Sequence, residues 1–313
     1  LKKIKLEKRT QSYLKKSRSK MTYPKDIKII DTMLGIPTHA DRSDWYSSFR
    51  PLLNDQQSRD MFKMPAQYMF KDIPEPSSHE ADFVTWTIKQ MNAHNIEMAM
   101  VGFNDDKTSE QAAKDYPKRF FFDVPCNPND GMKEVKRLKF LHKKYGIKSA
   151  SVFPAGTCPQ VAINDARMYP LYAACVELDI PIVLNVGVPG PRIPMHTQKV
   201  EHLDEVCWFF PDLKIVMRHG AEPWENLAVK LMIKYPNLYY STSAFAPKHY
   251  PKAIIEYANT RGADKIIYAG YFPMGLSLDR IFSDMENVPL KAHVWPKFLR
   301  DNAIKVFKLK DQI

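Results

Sequence analysis

Residues 264–275 read DKIIYAGYFPMG. The run opens as a short apolar strand, IIYAG, and breaks into a loop marked by Pro273 and Gly275. Its place in the count decides the fold. The same unit, an apolar strand followed by an amphipathic helix, recurs all the way back towards the N-terminus. Strands are predicted at Asp26–Leu34, Ile96–Phe103, Arg119–Pro125, Ile147–Phe153, Ile180–Val186, Leu213–His219 and Leu238–Thr242, and Lys265–Gly270 is the eighth. Strands that are apolar along their whole length, rather than at alternate positions, belong to parallel sheets covered on both faces. Eight such units predict a closed (β/α)8 TIM barrel. An open doubly wound sheet would want a Gly-x-Gly-x-x-Gly turn after an early strand, and the chain has none.

Helical spacing fills the intervals. The clearest case is Asn129–Tyr145, where Met132, Val135, Leu138, Leu141 and Tyr145 recur on one face, Asn129 can cap and Gly146 can stop the helix. Thr108 is the expected cap of Thr108–Tyr116, and Pro223 is expected in the first turn of a helix over Glu222–Tyr235. One interval does not fit the pattern. About residues 35–79 form a Pro- and aromatic-rich insertion after strand one, too long for a plain connection and therefore expected to serve function or an interface.

Hydrophobic residues make up 44% and charged residues 26% of the 313, which suits a globular core, and no apolar run is long enough to span a bilayer. The net charge of +11 is unevenly spread. Residues 1–25 hold ten Lys or Arg and one acid, leaving 36 basic and 34 acidic residues for the domain at 26–313. A nearly neutral domain argues against a nucleic-acid role for the barrel itself. Three readings of the arm stand: a disordered, solvated tail, a targeting remnant, or a docking element for anionic lipid, RNA or an acidic protein surface. Four cysteines without a Cys-x-x-Cys pair are expected to be reduced thiols.

A barrel of this kind works at the C-terminal ends of its strands. The ionisable residues falling there are Asp105, Arg218, His219 and Tyr271, with Arg192, Glu222, Lys248 and His249 in adjacent loops. Asn185 and Ser243 add neutral polar groups. His219 with Tyr271 can do acid–base work, and Arg192 can clamp a carboxylate, with Ser243 and Glu222 beside it. By strand alternation Arg218 is expected to face away from His219. His39 and Asp41, just past strand one, offer a displaced ligand pair.

Three stretches carry a family resemblance: MYPLYAACVELDIPIVLNVGVPGP at 168–191, FPDLKIVMRHGAEPWENLAVKLMIKYPNLYYSTSAFAPKHYP at 210–251 and IEYANTRGADKIIYAGYFPMG at 255–275. They resemble the amidohydrolase-related family, which includes aminocarboxymuconate-semialdehyde decarboxylase and resorcylate-type decarboxylases. The likeness spans roughly residues 26–309. It implies a divalent metal held by a His-x-His after strand one, a His on strand five and an Asp on strand eight, with a further His on strand six. At those positions this chain has Met33 and Gly35, Asn185 and Tyr271, and only the strand-six residue, His219, is kept. Thioether sulfur is soft, glycine has no donor, and neutral amide and phenol are weak ligands. The expectation is that the ordinary metal site is lost and no cofactor is held, the alternative being a divalent ion in a rearranged site. Two functions follow. One is a pseudoenzyme or accessory subunit of a larger mitochondrial assembly, such as a respiratory-chain complex or a ribosome, with a homo-oligomer also possible. The other, mitochondrial or cytoplasmic, is an active hydrolase or decarboxylase of a small carboxylic or aromatic acid using a non-canonical or metal-free site.

Overall fold

The computed structural model describes residues 23–37, 43–61, 67–70, 73–75 and 82–313. Most of the basic arm, together with His39 and Asp41, lies outside the described residues. The strands are β1 Ile29–Asp31, β2 Ile96–Gly102, β3 Phe120–Pro125, β4 Ser149–Val152, β5 Ile182–Asn185, β6 Ile215–Arg218, β7 Leu238–Ser241 and β8 Ile266–Ile267. They pair in parallel in sequence order. The seam between first and last is closed by a parallel bridge from Leu34 to Phe272 and by bonds from Thr32 N to Tyr268 O (3.2 Å) and Gly35 N to Phe272 O (2.8 Å). The architecture is the (β/α)8 barrel that the strand count predicts.

The period-two geometry of a strand divides its side chains between two cores. Ile30, Met98, Met100, Phe121, Val183, Val216, Tyr239 and Ile267 meet inside the barrel. Phe120, Phe122, Val101, Leu184, Ile215 and Tyr240 point outward against the helices. Ala303, Val306 and Phe307 of the last helix, Asn302–Phe307, with Leu309 behind it, plug the interior. Lys308 pairs with Asp179, and Lys148 Nζ bonds the Lys308 carbonyl, at turns that precede β5 and β4. The plug therefore sits at the N-terminal end of the strands, which leaves the other end open for a site.

The helices run as patterned, with local differences at their ends. Asp106 caps Lys107–Asp115 by accepting from Ser109 N, because its carboxylate stands where the first free N–H groups point; Thr108 is already inside the helix. Asn129 falls in a 3-10 turn capped by Asn127, so Met132–Tyr145 starts later than spacing suggests; it ends at left-handed Gly146. Pro223 precedes its helix, Glu225–Lys234, instead of opening it. The four cysteines are free thiols, three of them buried.

Candidate functional site

The open end of the barrel holds a cavity of about 1210 Å³, walled by Met33, Asn185, Arg218, His219 and Tyr271 from the strand ends and by Phe49, Tyr68 and Phe70 from the insertion. The described part of the insertion thus folds over the mouth. Phe49 packs edge-on to Phe153 (5.5 Å between ring centroids), and Phe70 lies against Tyr271 (5.7 Å).

Arg218 forms the charged floor. It is two residues from Val216, so its side chain enters the barrel. Nε donates to Asn185 Oδ1 at 2.5 Å, and Nη1 points at Met33 Sδ at 3.7 Å. Nη2 has no partner among the described residues. Asp123, two residues beyond Phe121 on β3, also points inward and is buried. Ser149 and Ser151 donate to its two oxygens at 2.8 and 2.5 Å. Burial pushes the Asp123 carboxyl up, and the Arg218 charge opposes that push. Asp123 is a site residue that sequence reading missed. Its signal was present: a lone acid in the apolar run FFFDVP, in phase with an inward phenylalanine.

His219 is next to Arg218 yet lines the same cavity, contrary to the alternation argument. The reason is backbone geometry. β6 ends at Arg218, and His219 has φ 68°, which breaks the strand period. Ala244 (φ 69°) and Tyr271 (φ 84°) are left-handed after β7 and β8 as well. Left-handed non-glycine residues cost about 1–3 kcal/mol each and gather at functional sites. Burial, and then the Arg218 charge, hold the His219 imidazole well below its ordinary value, so it is neutral at neutral pH. Burial pushes the Tyr271 phenol up to about 12, so it is neutral too. The two rings meet edge to face at 5.3 Å.

A second buried acid, also unforeseen, holds Tyr271 in place. Asp31 Oδ1 accepts from Met33 N and Gly270 N, both at 2.9 Å, tying the ends of β1 and β8 together. Tyr271 N then donates to Met33 O at 2.9 Å.

Two expected site residues sit elsewhere. Ser243 lies fully buried behind His219, bonded to its ring, and is not part of the cavity wall. Arg192 Nη1 donates to Asp55 (3.0 Å) and Gln57 (2.8 Å), with Tyr68 stacked beneath the guanidinium. Through Nη1 it ties the loop after β5 to the insertion, and it is not among the residues that wall the cavity. Glu222 stands exposed at the cavity rim. Asp105 pairs with Arg137.

The residues at the family's metal positions do not fit a divalent ion. Asn185 has already given its oxygen to a guanidinium, Met33 Sδ faces the same cation, and Tyr271 is a neutral phenol. A second positive centre placed against Arg218 would be repelled. Among the described residues no group of three or more His, Cys, Asp or Glu is placed to hold a metal.

The fold has many solved relatives. An uncharacterized TIM-barrel protein of Bordetella bronchiseptica matches with 24% identity and a TM-score of 0.67, covering 90% of this chain and 99% of its own. The 5-carboxyvanillate decarboxylase of Sphingomonas paucimobilis matches at 13% identity and TM-score 0.62, with the same coverage. A dihydroxybenzoic acid decarboxylase of Polaromonas, solved with manganese and 2-nitroresorcinol, matches at 16% and 0.60, covering 92% of this chain and 99% of its own. At these identities the likeness is one of fold. Comparison with curated protein sequences finds no match. The amidohydrolase family profile matches residues 36–309. With that match over most of its length, the chain belongs to the amidohydrolase family.

Proposed function

We propose that the barrel mouth binds a small carboxylic acid with an aromatic or apolar body and handles it without a divalent metal ion. The observation that carries this reading is the Arg218 guanidinium. It stands on the cavity floor beside Asn185 and Met33, with Nη2 unengaged among the described residues. A carboxylate brought to it exchanges water for a charge-assisted hydrogen bond. The apolar walls, among them Phe49, Phe70, Phe153 and Met274, cover the body of the ligand and strengthen that bond by excluding water. His219 and Tyr271, both neutral, are the proton-bearing groups beside it. That several fold relatives are decarboxylases of aromatic acids agrees with the ligand class.

Titration calorimetry with benzoate and salicylate is the test, on chelator-treated protein and on protein given manganese. Binding is expected in both, and Arg218→Met is expected to weaken it by about 1.5–3 kcal/mol, the worth of a hydrogen bond to a charged group. Binding that appears only with manganese, at one ion per chain, overturns the reading.

A second reading, a docking role for a protein partner, is favoured by one feature of the surface. On the helix His202–Phe209, Trp208 is 73% exposed and Phe209 57% exposed, with Phe209 stacked on Tyr169. Sedimentation of native extract tests it: a free monomer or homodimer of this mass excludes a larger assembly.

A further inference from the structure

We infer that Ser243 and Arg218 orient their neighbours so that Arg218, Asn185 and His219 all present hydrogen-bond donors to the cavity, which selects a deprotonated carboxylate over its neutral amide. The inference rests on the ligand class proposed above and adds the way it is discriminated.

The argument is a count of hydrogens. Ser243 Oγ lies 3.0 Å from His219 Nδ1 and accepts from His219 N at 3.2 Å. Ser243 is fully buried. Its hydroxyl proton has one acceptor among the described residues, Nδ1. If Nδ1 carried the imidazole proton, Ser243 would accept twice and its own proton would be stranded without an acceptor in a buried setting, which is unfavourable. The satisfied arrangement puts the serine proton on Nδ1 and the imidazole proton on Nε2. Nε2–H has no partner among the described residues, and the ring lines the cavity.

The same logic fixes Asn185. Arg218 can only donate, so the amide oxygen must meet Nε, which leaves the Asn185 NH₂ group as a donor on the cavity wall. Arg218 Nη2, Asn185 Nδ2 and His219 Nε2 then all offer hydrogens. A carboxylate brings acceptors alone, which suit such donors. A carboxamide brings hydrogens of its own against these donors. Ser243 acts through His219 and is a positioning residue.

Two measurements test this. In ¹⁵N spectra of the imidazoles at neutral pH, with His219 assigned by its loss in His219→Gln, Nε2 should be protonated and Nδ1 bare; a protonated Nδ1 overturns the inference whether or not any acid binds. In calorimetry, benzoate should bind at least about tenfold more tightly than benzamide, equivalent to about 1.4 kcal/mol. Ser243→Ala should reduce that preference, and His219→Gln, which keeps an N–H near the Nε2 position, should retain more of it than His219→Ala. Equal affinity for benzoate and benzamide, or an unchanged preference in Ser243→Ala, overturns the inference while leaving the broader ligand reading standing. Failure of every aromatic acid to bind removes that broader reading, and the selection with it.

Discussion

Asp31 shows how much one side chain can be asked to do. It is fully buried between β1 and β8, and burial pushes its carboxyl from 3.8 to about 7 despite bonds from Gly270 and Met33. Folding therefore tightens its proton. The stability it contributes is complete below about pH 4 and is lost as pH rises through about 7. The span is on the order of a few kcal/mol. Asp31→Asn keeps the two backbone bonds on Oδ1, so thermal melts should flatten between pH 5 and 8 and the variant should be the more stable of the two at the upper end. A wild-type melting temperature that rises over that interval contradicts this. Crowding at the same spot gives a second expectation. A Cβ on Gly270 would stand 2.5 Å from Asp31 Oδ2 and 2.9 Å from Tyr268 Oη. Gly270→Ala should therefore destabilise by about 1–3 kcal/mol, the usual cost of overpacking, as read by urea unfolding.

At the scale of elements, the mouth is assembled by loops that lean on one another. Gly187, at φ 91°, lets the loop after β5 pass within contact of the backbone of Ala221 and Glu222, which a Cβ would meet at 2.8–2.9 Å. The same loop reaches across to the insertion through Arg192, Asp55, Gln57 and Tyr68, and Tyr68 Oη bonds Gly190 O at 2.6 Å. These contacts are at the surface, so Arg192→Ala should cost only about 0.5–1 kcal/mol of global stability. Its effect should be local: faster proteolysis within the insertion, with melting almost unchanged. Cleavage at the wild-type rate would show that other contacts hold the insertion down.

For the whole molecule, the barrel is held by its two cores, and the proposed metal-free mouth adds an expectation. Prolonged chelation should leave the melting temperature unmoved, because a ligand stabilises only in proportion to its binding to the folded state. A fall on chelation, reversed by added zinc or manganese, would expose a metal site. The plug is the complementary case. Phe307 fills the N-terminal end of the interior against Phe121, with centroids 5.4 Å apart. Phe307→Ala should cost about 3–5 kcal/mol in denaturant unfolding while leaving the distant mouth intact.

The barrel was legible in the linear chain because it rests on local quantities: eight apolar strands, helices in phase between them, Gly and Pro at the breaks. So were the residues Met33, Gly35, Asn185 and Tyr271 at the family's metal positions, since a missing imidazole is missing in any conformation. The placing of Arg218 could not be read this way. Strand alternation sets it opposite His219, and only the left-handed turn at His219 brings both to one cavity. Asp31 and Asp123 showed as isolated acids in apolar runs, but their partners are remote in sequence, at Gly270 for one and at Ser149 and Ser151 for the other. Arg192 looked free until Asp55 and Gln57 were beside it. The sequence by itself determined which groups were present and how the backbone would alternate. The tertiary structure alone decided which of them meet, because a hydrogen bond or a charge pair depends on distances set by chain closure over tens to hundreds of residues.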